Sequence, residues 1–144
     1  MIAPPLTLRD ETPTDDAAIT TLTEAAFAPR AISRHREHHV VRALRAAGAL
    51  SLSLVAEQAG QPVGHLACSP VSVADGRAGW FGLGPVSVAP AHQGRGIGSA
   101  LIRAALERLR ARGARGCCLV GHPGYDGRFG FVHPPGMGIA GVPP

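Results

Sequence analysis

The sequence predicts a mixed α/β fold of the α+β kind, with a mostly antiparallel central sheet flanked by helices. Three observations carry this. Residues 50–58 alternate apolar and polar with period two, and a second run follows across a short turn, which is the pattern of an antiparallel hairpin. The helical pattern of Arg95 to Arg112 is the strongest in the chain and sits between two β-branched or apolar runs. Finally, the segment "TPTDD" early in the chain has the makings of a helix start. A meander of strands that feeds one crossover helix and then a parallel strand satisfies all three.

The elements follow in order. Pro5 to Arg9 alternates as a first strand. Thr12 is placed to cap a helix, Pro13 to occupy its first position, and Asp15 and Asp16 to meet its positive end. Ile19, Leu22, Thr23, Ala26 and Phe27 form its inner stripe, and Pro29 ends it. Ser33 can cap a second helix running to Ala47, with Val40, Val41 and Leu44 on one face and Gly48 as its stop. Leu50 to Gln58 and Val63 to Asp75 are the hairpin strands, joined by "AGQP". A turn at Asp75-Gly76 leads to a fourth strand, Trp80 to Val88. Its "GLGP" segment, Gly82 to Pro85, predicts a bulge or a splayed edge, because proline cannot donate to the ladder. In the long helix, Ile97, Leu101, Ala104, Ala105 and Leu109 line one face, and Gly113 closes it. "GCCLVG" is a short apolar strand, and the Pro/Gly-rich tail after it has room for a small strand at Gly138 to Val142.

The chain has 144 residues, no internal repeat and no linker, so a single domain over 1–144 is expected. No apolar run approaches the roughly 18 residues of a membrane helix. Met1 to Asp10 carries no readable signal peptide, and a cytoplasmic location without membrane attachment is the default expectation. Cys68, Cys117 and Cys118 form no C-x-x-C pair and read as buried small hydrophobes. All 14 basic residues are arginine, so a Schiff-base lysine and a P-loop lysine are both excluded. The net charge of +4 suits an anionic ligand. The arginines are not interleaved with aromatics, which are 4% of residues, so nucleic acid is not an expected partner. His35 and His39 stand four apart on a predicted helix face. They lack an evident third ligand, and no metal is expected there.

The most informative stretch is "VSVAPAHQGRGIGSALI", Val86 to Ile102. A glycine-rich turn from strand to helix exposes unpaired N–H groups at the positive end of the helix dipole, which is an anion site of the kind that holds phosphate. Arg95 adds a cationic donor. The spacing of Gly94, Gly96 and Gly98 is G-x-G-x-G, which is neither a P-loop nor a dinucleotide fingerprint.

In these residues the chain resembles the GNAT (Gcn5-related) N-acetyltransferases. Gln93 to Gly98 fits their Q/R-x-x-G-x-G/A signature. "VSVAPAH" is similar to their fourth strand and "RFGF", Arg128 to Phe131, to the motif after their last helix, and the element order matches over residues 6–133. In detail the chain resembles a bacterial branch with "GLGP" in strand four. The resemblance implies acetyl-CoA as co-substrate and a sheet splayed between strands four and five. It also implies a pyrophosphate on the loop amides of Gly94, Arg95, Gly96, Ile97, Gly98 and Ser99, with Gln93 among the cofactor-binding residues, and a pantetheine arm along Val86, Ser87 and Val88. The implied activity is transfer of an acetyl group to an amine of a small molecule or a protein, by direct attack in a ternary complex. A GNAT-like module that binds acyl-CoA without transfer is the alternative. Homodimers are frequent in the family.

Catalytic groups are less legible. The family's proton-donating tyrosine corresponds to Asp126, with Tyr125 one residue earlier: either the turn re-aims Tyr125 inward as the catalytic acid, or this branch does without that acid. His65 in mid-strand and His122 at the end of "CCLV" are candidate bases, since unperturbed imidazole titrates near neutrality. A lone histidine between apolar residues, as His65 is, reads more readily as a packed, hydrogen-bonded one.

Overall fold

The computed structural model describes residues 5–28, 37–71 and 79–119. Five strands form one sheet in the order β1-β2-β3-β4-β5. They are β1 (Leu6–Asp10), β2 (Leu52–Gln58), β3 (Gln61–Pro70), β4 (Trp80–Val88) and β5 (Gly116–Leu119). The first four pair antiparallel and β5 runs parallel to β4. Helices α1 (Asp16–Phe27) and α2 (Glu37–Ala46) cover one face, and α3 (Ile97–Ala111) covers the other. This is the mixed, helix-flanked sheet that the alternation predicts.

Boundaries shift where local chemistry differs from the pattern. The first helix opens with a 3-10 turn, Pro13–Asp15, before the α-helical hydrogen bonds begin at Asp16. The Asp15 carboxylate causes this start: it accepts from the Thr12 N–H at 2.7 Å and from the Thr12 hydroxyl at 3.1 Å. β2 begins at Leu52 and β3 spans Gln61–Pro70, while the β3 extension read toward Asp75 falls largely outside the described residues. So do Ser33 to Arg36 of the second helix and the strand read in the tail. The hairpin turn between β2 and β3 places Ala59 and Gly60 at positive φ, the geometry that matches the right-handed twist of the flanking strands.

The α3 face holds the larger core. Leu54, Leu66, Cys68 and Leu83 of the sheet pack against Ile97, Leu101, Ile102, Ala105 and Leu109. Each fully buried Leu or Ile contributes about 1.5–3 kcal/mol of hydrophobic stabilisation. Gly64 lets α3 approach: a Cβ there would lie 3.0 Å from Ile97 Cγ2 and 3.1 Å from Leu101 Cδ1. The opposite face has a smaller apolar cluster of Ile19, Val41, Val55 and Ala67, and it also buries Thr23, Ser53, His65 and Ser87. Ion pairs tie its rim. Arg9 donates to both Asp15 oxygens, at 2.8 and 3.0 Å, and to Glu57 at 2.8 Å. Arg45 of α2 reaches Glu11 at 2.8 Å and Asp16 at 3.0 Å.

The "GLGP" segment does both things its residues predict. The pairing passes from Leu66↔Val86 to Cys68↔Leu83, so β4 carries one extra residue there, a bulge at Gly84-Pro85, whose peptide bond is cis. β5 pairs with β4 only from Trp80 to Leu83. Beyond the bulge, Val86, Ser87 and Val88 pair with β3 on one side. Among the described residues, no strand takes their other side, and the sheet is open between β4 and β5.

Candidate functional site

The open edge of β4 leads directly into the glycine loop. The Ala89 N–H donates to the Val63 carbonyl at 2.9 Å, which pins the strand end to β3. A 3-10 turn, Pro90–His92, follows. The Gln93 side-chain amide donates to the Val88 carbonyl at 3.0 Å and folds the loop back on the strand. Gln93 therefore positions the loop with its side chain.

The helix starts two residues later than the apolar pattern reads. Gly96, at φ +81° and ψ 8°, is the N-cap, and α3 begins at Ile97, so Arg95 lies in the loop. Gly94 is also at positive φ, +76°. A left-handed residue at the cap turns the preceding amides toward the helix end, and glycine alone adopts that conformation without penalty. The first intrahelical bond across the cap is Ala100 N–H to the Gly96 carbonyl, at 3.0 Å. Among the described residues, no backbone carbonyl accepts from the amides of Gly94, Arg95, Gly96, Ile97 or Gly98. Gly94, Arg95 and Gly96 are exposed, and Ile97 anchors the turn in the core. Ser99 stands in the first turn of α3. The result is a cluster of donors at a helix N-terminus with a guanidinium alongside, which suits a pyrophosphate.

The other half of the site lies on the α1 face. Ser87, on the open part of β4, is buried there, and its hydroxyl is 3.4 Å from the Thr23 hydroxyl of α1. Its cross-strand partner is His65. His65 is fully buried, and its Nε2 lies 2.8 Å from Ser53 Oγ. Ser53 in turn donates to the Glu11 carboxylate. Burial pushes the His65 imidazole down to about 4, with the Glu11 charge opposing, so it is neutral near pH 7. Burial by itself would raise Glu11; the Arg45 guanidinium and the Ser53 hydroxyl outweigh it and hold the carboxyl below its usual value. His65 has no exposed atom with which to meet a substrate directly, so a basic role has to run through a neighbour. His122 and Tyr125 lie outside the described residues, as do Asp126, Arg128 and His35.

A cleft of about 240 Å³ opens between the end of α1 and the start of α2, lined by Glu24, Phe27, Ala28, Glu37 and His38. Burial pushes the Cys68 thiol up to about 12 and that of Cys117 to about 11, which keeps both protonated and unreactive. Among the described residues, no group of three His, Cys, Asp or Glu side chains is placed to hold a metal ion, and no helix is long and apolar enough to cross a membrane.

Sequence reasoning missed the Glu11–Ser53–His65 chain and the Thr23–Ser87 contact. The one available signal was His65, a polar residue within the apolar run of β3; Ser53 falls on the polar phase of its strand and gave none.

Comparisons with known proteins agree with this architecture. The model of the acetyltransferase (GNAT) family matches residues 17–123. The uncharacterized N-acetyltransferase YhbS of Escherichia coli (strain K12) is 34% identical over 125 residues, which are 86% of this chain and 72% of that protein. The uncharacterized N-acetyltransferase YjhQ of the same strain is 35% identical over 102 residues, and the match spans about half of its length, 51%. Among solved structures, a GNAT family acetyltransferase from Brucella melitensis in complex with acetyl-CoA superposes with a TM-score of 0.87 at 56% identity, covering 90% of this chain and 84% of that one. The Escherichia coli YhbS structure in complex with CoA gives a TM-score of 0.82 at 30% identity, covering 95% of this chain and 79% of that one. Two independent lines, the family model across most of the chain and the relatives at 34% and 56% identity, converge on one result: the chain belongs to the GNAT acetyltransferase family.

Proposed function

We propose that the protein is an acetyl-CoA-dependent N-acetyltransferase acting on a primary amine of a small molecule or a protein, by direct attack within a ternary complex. The observation that carries this reading is the continuity of the open β4 edge with a loop of unpaired amides. An extended chain with an anionic end fits both at once. The loop amides from Gly94 to Gly98, the first turn of α3 at Ser99 and the Arg95 guanidinium would hold the pyrophosphate, while the open side of the Val86–Val88 backbone would take the pantetheine arm. Related proteins with bound acetyl-CoA and CoA support the same assignment. The thioester supplies an activated acetyl group. A β4 amide on the open edge would donate to its carbonyl oxygen and stabilise the charge that develops there on attack. The buried Ser87 and Thr23 hydroxyls mark the side from which the amine approaches.

A second reading, an acyl-CoA-binding module without transfer, is favoured by one feature. Among the described residues, the open half of β4 carries no titratable side chain that could serve as acid or base. Calorimetry with CoA on the wild type and on Gly96→Glu, together with thiol release from acetyl-CoA over a panel of primary amines, tests both. Wild-type binding that Gly96→Glu abolishes supports the loop assignment, and equal binding by the two refutes it. Steady turnover with any amine eliminates the binding-only reading.

A further inference from the structure

The face of the sheet under α1 buries a histidine whose hydrogen bonding is fixed on one side and missing on the other. Ser53 has a single hydroxyl hydrogen, and the Glu11 carboxylate takes it. An ionised carboxylate only accepts, so toward His65 the Ser53 oxygen must act as acceptor. The proton of the neutral imidazole therefore sits on Nε2, and Nδ1 carries a bare lone pair. That Nδ1 is buried and, among the described residues, has no hydrogen-bond partner. An unpaired buried acceptor costs about 1–3 kcal/mol, and the site keeps it.

The position of the lone pair is informative. β3 lies between β2 and β4, and Nε2 is committed to Ser53 on the β2 side. The two ring nitrogens diverge, so Nδ1 opens away from β2. Across the register on the β4 side, and on the same face, stands Ser87. Ser87 is itself poorly satisfied. Its contact with the Thr23 hydroxyl, at 3.4 Å, is at the outer limit of a hydrogen bond. Two buried groups that face each other across the register thus each lack what the other supplies. Ser87 belongs to the three-residue segment of β4 that, among the described residues, has no strand on its outer side.

We propose that His65 is a positioning residue of the transfer site: when an acyl thioester lies along the open edge of β4, the Ser87 hydroxyl turns to donate to His65 Nδ1, and a Ser87 lone pair is left facing outward to accept an N–H of the incoming amine. This rests on the acetyltransferase reading and extends it. What it holds is an amine with an N–H to donate, oriented by a neutral acceptor. The Glu11–Ser53–His65 chain is directional, because each link fixes the hydrogen of the next and the carboxylate anchors the whole. Of the other charged groups around this face, Arg45 holds Glu11 ionised and pairs with Asp16, and Asp15 pairs with Arg9.

The experiment uses the full chain with ¹⁵N-labelled histidine, and His65→Gln identifies the ring signals. Long-range nitrogen–proton spectra at pH 7 are expected to show His65 neutral with the proton on Nε2. Saturation with acetyl-CoA, verified by calorimetry on the same sample, is expected to move the His65 Nδ1 signal in the hydrogen-bonded direction. The same addition leaves it in place in Ser87→Ala, provided that this variant still binds acetyl-CoA. A proton on Nδ1, an unmoved signal at saturation, or an equal movement in Ser87→Ala each overturns the proposal. If calorimetry finds no acetyl-CoA binding by the wild type, it is the acetyltransferase reading that fails, and the proposal falls with it.

Discussion

Acid should destabilise this protein in a window that belongs to His65. The imidazole is neutral in the folded state because burial pushes it down to about 4, from an ordinary value of 6.5. Between those values the unfolded chain binds a proton that the folded chain refuses. Stability therefore rises with pH across the window. It is fully present above pH 6.5 and is lost as the pH falls toward 4. At 1.36 kcal/mol for each pH unit, the loss reaches about 3 kcal/mol at pH 4. That is a large share of the 5–15 kcal/mol typical of a domain. Asp15 and Glu11, both held below their ordinary values, oppose folding only once the pH drops below about 4.5, so the two effects separate. Urea denaturation at half-unit steps from pH 7.5 to 4.5 measures the slope. His65→Gln keeps a donor toward Ser53 and removes the titration, so its stability is expected to be flatter across pH 6.5–4.5 by most of that amount. Parallel profiles for the two proteins would refute the assignment of a neutral, buried imidazole.

Three further outcomes are expected. Gly96→Ala forces an L-residue to φ +81° in open space, so the cost is in the backbone, about 1–2 kcal/mol by thermal denaturation, with Gly96→Asn falling between it and the wild type; CoA affinity by calorimetry should drop in the same order, about tenfold for alanine. Arg9→Met leaves the nearly buried Asp15 carboxylate without its guanidinium and should cost about 2 kcal/mol at pH 7 in urea. Arg9 holds the Asp15 carboxyl below its usual value, so this stabilisation exists above about pH 4 and fades as the pH falls further; the two proteins should converge in acid. Leu101→Ala, under the sheet with no exposed surface, should lower stability by 2–5 kcal/mol, read as a lower urea midpoint at unchanged slope, and leave the loop amides in place.

How much of this was legible in the sequence depends on the range of the signal. The hairpin, the capping segment at Thr12 and the amphipathic α3 are local patterns, and each appears where the residues place it. The bulge was legible because proline lacks an N–H. The start of α3 was misread by two residues: the apolar period runs into Arg95, but it carries no information about the sign of φ at Gly96. The glycine loop could be found because its chemistry is contiguous in the chain. The polar chain on the other face could not. Glu11, Ser53 and His65 come from three places, and their meeting depends on the strand registers, which no short window of sequence specifies. His65 alone looked like either a base or a packed histidine. The structure adds that it is packed on one side and unsatisfied on the other.

The single extra residue in β4 determines how the two halves of the site relate. Leu83 faces the α3 core, and so do Val86 and Val88, although an unbroken strand would put residues 83 and 86 on opposite faces. The bulge at Gly84-Pro85 absorbs that mismatch. Without it Ser87 would share the face of Leu83 and point into apolar packing against α3, where a hydroxyl has no partner. With it, the apolar valines hold α3, whose N-terminus carries the unpaired amides, and Ser87 turns to the face that holds Thr23 and His65. The same irregularity marks where β5 leaves β4 and the edge opens. One inserted residue therefore sets three things together: an open backbone edge, an apolar seat for the anion-binding helix, and a hydroxyl on the opposite face beside a histidine with a bare nitrogen. A strand of regular register offers at most one of them.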